Sequence, residues 1–277
     1  MDIVRRHLTH LAYRNLRPGT IAQRRRALTR LTRSLGGTSL LEATTDELLA
    51  FLDRPMQPEG RATEISHLRG FYRWAVLEGF TDADPTMRLV RPRLRRRLPR
   101  PIPDGDLAMA FDLAPERVRV MLHLAAYAGL RACEIAGLRG EDVLLDQRPP
   151  LLLVAEGKGG GMSSVPLAPV LVDLLAAMPR RGWLFGRRDG RPGPLPAHRV
   201  SQVANLYLHS IGIDHTLHTC RHWFGSHAYR TTGRDLRATQ ELLRHRSPVS
   251  TAIYTFVDPG PLVDAVAALP TYPAAVD

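Results

Sequence analysis

In TIAQRRRALTRLTRSL, residues 20–35, Ile21, Leu28, Leu31 and Leu35 fall at near-helical spacing and arginines fill the other face. That period predicts an amphipathic helix, and Gly36-Gly37 predicts its end. TTDELLAFLDR opens with Thr44 and Glu47 at capping-box spacing. In ATEISHLRGFYRWAVLEG the apolar positions Ile65, Leu68, Phe71, Tyr72, Ala75 and Val76 form one stripe, which Gly79 closes. Residues 1–93 are therefore expected to form a small helical domain with basic faces. RPRLRRRLPRPIPDGD breaks the pattern: rich in Arg and Pro, it has little to bury. It reads as an interdomain linker, centred on 94–103.

A second domain, 104–277, follows. DLAMAFDLAPERVRVMLHLAAYAGL predicts two helices, the second strongly apolar through Val118, Met121, Leu122, Leu124 and Ala125. CEIAGLRGEDV continues as helix and turn. LLLVAEGKGGGMSSVPL has strand character on both sides of a glycine turn and predicts a hairpin with Lys158 at its tip. APVLVDLLAAM is helical, and RRGWLFGRRDGRPGPLPAH is a Gly- and Pro-dense loop. Further helices are expected at 200–208, 221–229, 236–243 and 248–256, with a short apolar helix in DPGPLVDAVAALP. The fold class is mainly α with a small β-hairpin.

Composition then narrows the function. The formal charge is +11 and the pI about 10.6, a balance that points to a polyanion, either nucleic acid or an anionic membrane surface. No apolar run approaches the roughly 20 residues that span a bilayer. The N-terminus shows no signal-peptide core. Cys133 and Cys220 form no motif and suit a reducing cytoplasm. The chain holds 38 Lys plus Arg, and Lys158 is the single lysine among them. A genome that drifts toward arginine would be expected to remove it, unless its chemistry is needed.

The candidate chemistry lies in the second domain. Arg131 follows a buried helix, His218 and Arg221 lie in LHTCRHWFGSH, His245 and Tyr254 lie in LLRHRSPVSTAIYTF, and Lys158 sits on the hairpin. Two arginines, two histidines, a lysine and a tyrosine, with no carboxylate cluster, suit a phosphate-like transition state. Guanidinium forks grip phosphate oxygens in pairs, and lysine, unlike arginine, can release a proton. Singly, each residue has an ordinary structural use. His218 and His222 are four apart, a spacing that can hold zinc, but no Glu follows the first histidine, so a structural hydrogen bond is expected of His222.

Taken together in this order, these segments resemble the tyrosine recombinase (phage integrase) family. AGLRACEIAGLRGEDV is similar to its first signature, with Arg131 and Glu134 in place. EGKGGGMSSVPL resembles its β-hairpin, and LHTCRHWFGSH its His-x-x-Arg-His signature. In the final box a histidine precedes the nucleophilic tyrosine by nine residues, the separation of His245 and Tyr254. SHLRGFYRWAVLEGF followed by ADPT resembles the helical core-binding domain. The chain departs from the pattern at Arg244, where the family usually has Gly, and at Met162, Ser163 and Ser164, where a second basic residue is common. An N-terminal arm-binding domain is expected to be absent, as in a minimal form.

The resemblance implies a SAM-like core-binding domain and a catalytic domain forming a C-shaped clamp on double-stranded DNA at core-type sites. It implies attack by Tyr254 on a scissile phosphate, giving a 3′-phosphotyrosyl enzyme and a free 5′-hydroxyl. Strand exchange through a Holliday junction follows, with no cofactor, ATP or metal. Arg131, Arg221, His218 and His245 would serve the phosphate and the tyrosine proton, and Lys158 the leaving oxygen. Arg24, Arg25, Arg69, Arg73, Arg95, Arg96, Arg97 and Arg244 are the candidate DNA contacts. Partners would be a homotetramer, coupled through the C-terminal helix docking on a neighbouring protomer, and an accessory DNA-bending protein. The setting would be the cytoplasm of a bacterium or phage-infected host. A non-catalytic DNA-binding protein on the same fold and a type IB topoisomerase are the competing readings.

Overall fold

The computed structural model describes residues 2–94, 98–155, 161–245 and 247–256. The chain divides into two compact units, Met1–Arg96 and Arg97–Asp277.

Unit one is helical. α1 (Ile3–Tyr13) is capped by Asp2, whose carboxylate accepts the Val4 N–H at 3.0 Å. α2 (Pro18–Ser34) starts with proline at a position whose N–H would be unpaired anyway. It ends where Gly36 and Gly37 adopt positive φ. α3 (Thr45–Leu52) carries the expected capping box. Thr44 Oγ1 accepts the Glu47 N–H at 3.3 Å, and the Glu47 carboxylate accepts the Thr44 N–H at 2.8 Å. α4 (Pro58–Leu77) buries Ile65, Leu68, Phe71, Tyr72 and Ala75, with Val76 half-buried. Leu28 and Leu31 of α2 and Leu48 and Phe51 of α3 complete that core. The Tyr72 hydroxyl, buried with them, donates to the Leu40 carbonyl at 2.8 Å, so its polar end is satisfied.

Unit two is built around α6 (Glu116–Tyr127), preceded by α5 (Asp104–Leu113). Its residues from Val120 to Ala126 are buried on every side, as expected of a helix that is apolar all round. α7 (Ala132–Gly137), α8 (Pro169–Ala176), α9 (Ala197–Ser210), α10 (Leu217–Thr231) and α11 (Leu236–Leu242) follow. Helices α8, α9 and α10 pack against α6. The expected hairpin is two strands of a three-stranded antiparallel sheet. β1 (Val143–Leu144) pairs with β2 (Leu151–Ala155), and β2 with β3 (Met162–Pro166), in the register Val143↔Leu152 and Leu152↔Val165. A two-residue strand leaves no alternation to read in a sequence.

Two other expectations change. The helix expected over 221–229 begins earlier, at Leu217, and so takes in His218. The helix expected over 248–256 is instead two 3-10 turns, Pro248–Ser250 and Ala252–Phe256. Thr251 and Tyr254, three apart, are the buried residues there, and a three-residue repeat stacks such positions. The helix expected in 258–270 lies outside the described residues, as do Lys158 and Arg95, Arg96 and Arg97. Among the described residues no helix is long and apolar enough to cross a membrane.

Candidate active site

Helix α10 sets out the site. His218, Arg221, His222 and Gly225 are three or four residues apart, so they share one face. His218 stands in the first turn, exposed at its edge, and its ring meets His222 edge-on with centroids 4.5 Å apart. Arg221 is 2% exposed. Its guanidinium donates to the Gly129 carbonyl and, at 2.7 Å, to the Leu243 carbonyl.

The chain reaches Arg131 through a sharp reversal after α6. Gly129 has φ +57°, and a Cβ there would lie 2.4 Å from the Phe224 ring, so both backbone angle and space call for glycine. Arg131 then caps α7. Its side chain is 36% exposed and donates to Glu134 Oε1 at 2.6 Å, while its backbone N–H reaches Oε2 at 2.8 Å.

Glu134 is the hub. Besides Arg131 it meets Arg244 Nη2 at 3.1 Å and Arg221 Nη1 at 3.7 Å. Burial alone would raise its pKa. Arg244, the Arg131 amide, Arg221 and the Arg131 side chain together outweigh burial and hold the carboxyl below its ordinary value. The hub therefore carries three guanidiniums and one carboxylate, a net positive pocket. Burial and then Arg131 push Arg221 down to about 9, which leaves it protonated at neutral pH.

His245 and Tyr254 complete the set. His245 Nδ1 lies 2.9 Å from Thr251 Oγ1, and its ring is nearly parallel to that of Tyr254 at 6.5 Å. Tyr254 is 1% exposed, its hydroxyl 3.3 Å from His222 Nδ1. The phenol fits because residue 225 has no side chain: a Cβ there would sit 2.2 Å from Tyr254 Cζ. Burial, then Arg221, Arg131 and Arg244, lower His245 to about 3. Burial and His218 lower His222 to about 4. Partial desolvation, then Arg221 and Arg131, lower His218. All three imidazoles are thus neutral at neutral pH. Burial raises Tyr254, opposed by Arg221 and Arg131.

The structure thus brings Arg131, Arg221, His218, His245 and Tyr254 into one linked cluster. Four further residues build the cluster: Glu134, expected only as part of the first signature; His222, expected to be structural and found on the Tyr254 hydroxyl; Thr251; and Gly225. A glycine inside the helical run HWFGSH was the available signal for the last.

The candidate DNA contacts separate. Arg25 and Arg73 are exposed. Arg24 lies half-buried over Gly70, and Arg69 donates to the Leu89 carbonyl at 2.5 Å. Arg244, read from the sequence as touching DNA, is instead turned inward, its side chain 6% exposed, because Glu134 and three carbonyls offer it partners there. Among the described residues no cluster of His, Cys, Asp and Glu could hold a metal ion.

Residues 107–260 match the phage integrase family. Tyrosine recombinase XerD of Pseudomonas aeruginosa is 32% identical over 237 residues, covering 78% of this chain and 77% of its own. Tyrosine recombinase XerC of Chromobacterium violaceum is 30% identical over 279 residues, covering 93% and 90%. A solved lambda integrase tetramer bound to a Holliday junction shares the fold with TM-score 0.69 at 18% identity, over 89% of this chain and 77% of that one. With more than half its length inside the family match and both curated relatives similar over most of their length, the chain belongs to the phage integrase family of tyrosine recombinases, enzymes that cut and rejoin DNA through a tyrosine.

Proposed function

We propose that this protein is a site-specific recombinase of a phage or mobile element, acting on core-type sites in double-stranded DNA, with Tyr254 as its nucleophile. The observation that carries the reading is a single cluster in which Glu134 gathers Arg131 and Arg221, His222 meets the Tyr254 hydroxyl, and His218 and His245 stand beside that pair.

In this reading the Tyr254 oxygen attacks the scissile phosphorus, the bond to the 5′ oxygen breaks, and a 3′-phosphotyrosine remains. The phenol proton passes to a neutral histidine. His222 is already on the hydroxyl, with His218 one turn away. Arg131 and Arg221 neutralise the phosphorane, where removing one such donor typically costs about 2.7–4 kcal/mol. With Thr251 as the donor to Nδ1, His245 carries its proton on Nε2 and offers it to a non-bridging oxygen. Lys158 gives the departing 5′ oxygen its proton. One phosphodiester is exchanged for another, so the bond energy is retained for resealing by the partner strand.

Since Tyr254 is buried as found, the turn that carries it must swing outward before attack. Exchange between two duplexes calls for four protomers, and the lambda integrase neighbour is a tetramer on a junction. The segment 257–277 docking on a neighbouring protomer would couple them, with an accessory bending protein where the site requires one. The basic surface, with Arg25 and Arg73 exposed, suits phosphate contact in the cytoplasm of a bacterial cell or infected host.

The test is capture of the covalent intermediate. Purified protein is incubated with fragmented genomic DNA, denatured, and the attached DNA sequenced. Wild type should retain DNA from a defined site, and Tyr254→Phe should retain none while still shifting that site on a native gel. Capture that survives in Tyr254→Phe would overturn the assignment.

A further inference from the structure

Arg244 occupies a position that its own backbone disfavours. It follows α11 with φ +52°. Its N–H reaches the Glu241 carbonyl at 2.9 Å, and the His245 N–H reaches the Gln240 carbonyl at 3.0 Å. These two bonds are those of a helix ending in a left-handed residue, a place normally filled by glycine. An arginine there carries the steric cost of a Cβ in the left-handed region, so its side chain has to compensate.

That side chain is inside. It donates to the Ala128 carbonyl at 3.3 Å, the Gly129 carbonyl at 2.9 Å, the Leu242 carbonyl at 2.8 Å and Glu134 Oε2 at 3.1 Å. Ala128 and Gly129 lead directly into Arg131, and Arg244 itself precedes His245. One buried guanidinium thus ties the turn that aims Arg131 to the turn that carries His245. It also occupies Glu134 Oε2, leaving Arg221 3.7 Å away from that carboxylate.

We propose that Arg244 is a positioning residue of the cleavage site: it balances the Glu134 charge from within, so that Arg131 and Arg221 keep donors for the scissile phosphate, and it fixes the spacing between Arg131 and His245. Arg244 does not touch DNA. The inference rests on the recombinase reading above, and it takes the site recovered by covalent capture as its substrate.

The variant Arg244→Gly suits the test because glycine relaxes the backbone at this φ, and the fold should survive. Its melting curve and circular dichroism check that. Affinity for site DNA should equal that of wild type, while single-turnover cleavage of a nicked site should slow on the order of tenfold to hundredfold, as small misplacement of a reacting group does. Arg244→Lys, which restores the charge with fewer donors, should recover part of the rate. In a Glu134→Gln background the loss caused by Arg244→Gly should shrink, because the charge to be balanced is gone. Cleavage at the wild-type rate overturns the proposal, as does a loss explained wholly by weaker binding, or full additivity of the two substitutions. Should Arg244→Gly not fold, Arg244→Lys decides by the same split between binding and cleavage. If wild type itself forms no adduct, the recombinase reading fails and this inference falls with it, whereas a cleaving wild type matched in rate by the Arg244 variants overturns this inference alone.

Discussion

Gly225→Ala tests the buried seat of Tyr254. A Cβ at 225 would lie 2.2 Å from Tyr254 Cζ and 2.6 Å from its hydroxyl oxygen, closer than side chains approach. The clash is with the far end of a rigid ring, so the ring has to leave. Burial of such a side chain is worth about 1.5–3 kcal/mol, and glycine to alanine inside a helix returns about 1 kcal/mol. The net cost is therefore about 1 kcal/mol of global stability, small enough for the protein to remain folded. Locally the effect is larger. Losing about 2 kcal/mol of preference for the inward position raises the outward fraction of Tyr254 about 30-fold.

Tyrosinate absorbance during alkaline titration, with Tyr254→Phe subtracted, reads this directly. In wild type Tyr254 ionises above the ordinary value of 10.0. In Gly225→Ala it should fall back toward that value, and adduct formation on a nicked site should start faster. Unchanged ionisation of Tyr254 with wild-type stability would refute the reasoning, since it would mean that the ring does not depend on the space above Gly225.

Lys158→Ala should slow cleavage of ordinary DNA by about 10²–10⁴, the usual contribution of a general acid, and regain speed on a substrate whose leaving 5′ oxygen is replaced by sulfur. A thiolate departs without a proton, so absence of rescue would give Lys158 another role. In unit one, His7 is 1% exposed, packs on Phe71 and Trp74, and has no hydrogen-bond partner for either ring nitrogen among the described residues. Burial, then Arg24 and His10, lower it from 6.5 to about 4. Below pH 6.5 the unfolded chain takes up a proton that the folded one refuses, so stability falls between those values and levels off beneath them. His7→Phe should remove that acid-side loss and leave stability at neutral pH equal or higher. Thermal melts across this range check it, and parallel pH curves for both proteins would count against it.

Where local rules act alone, the sequence was legible. Thr44 and Glu47 cap α3 because a side-chain pair three apart needs nothing distant. The α4 stripe survives because the 3.6-residue period is a geometric fact of one helix. Long-range choices were not legible. The sign of a side chain does not say whether it faces water, so Arg244 reads like Arg25 until Glu134 is brought within 3.1 Å of it. The turns over 248–256 hold Val249, Ala252, Ile253 and Phe256 at helical spacing, yet the buried pair is Thr251 and Tyr254, three apart as the tighter 3-10 winding stacks them. The cluster was visible as a list of residue types in order. That Tyr254 points inward, to a histidine expected to be structural, depends on a missing side chain in α10.

The Glu134 hub also bears on how the protein is born. Its arginines lie at 131, 221 and 244, and Tyr254 comes later still. Translation therefore releases a carboxylate long before two of its three cations exist. A ribosome stalled, or a message cut, between residues 97 and 244 yields a fragment that contains all of unit one yet lacks the third arginine of the pocket. With Tyr254 as the proposed nucleophile, cutting would wait for that codon, and products that stop short of it would encounter the chromosome unarmed.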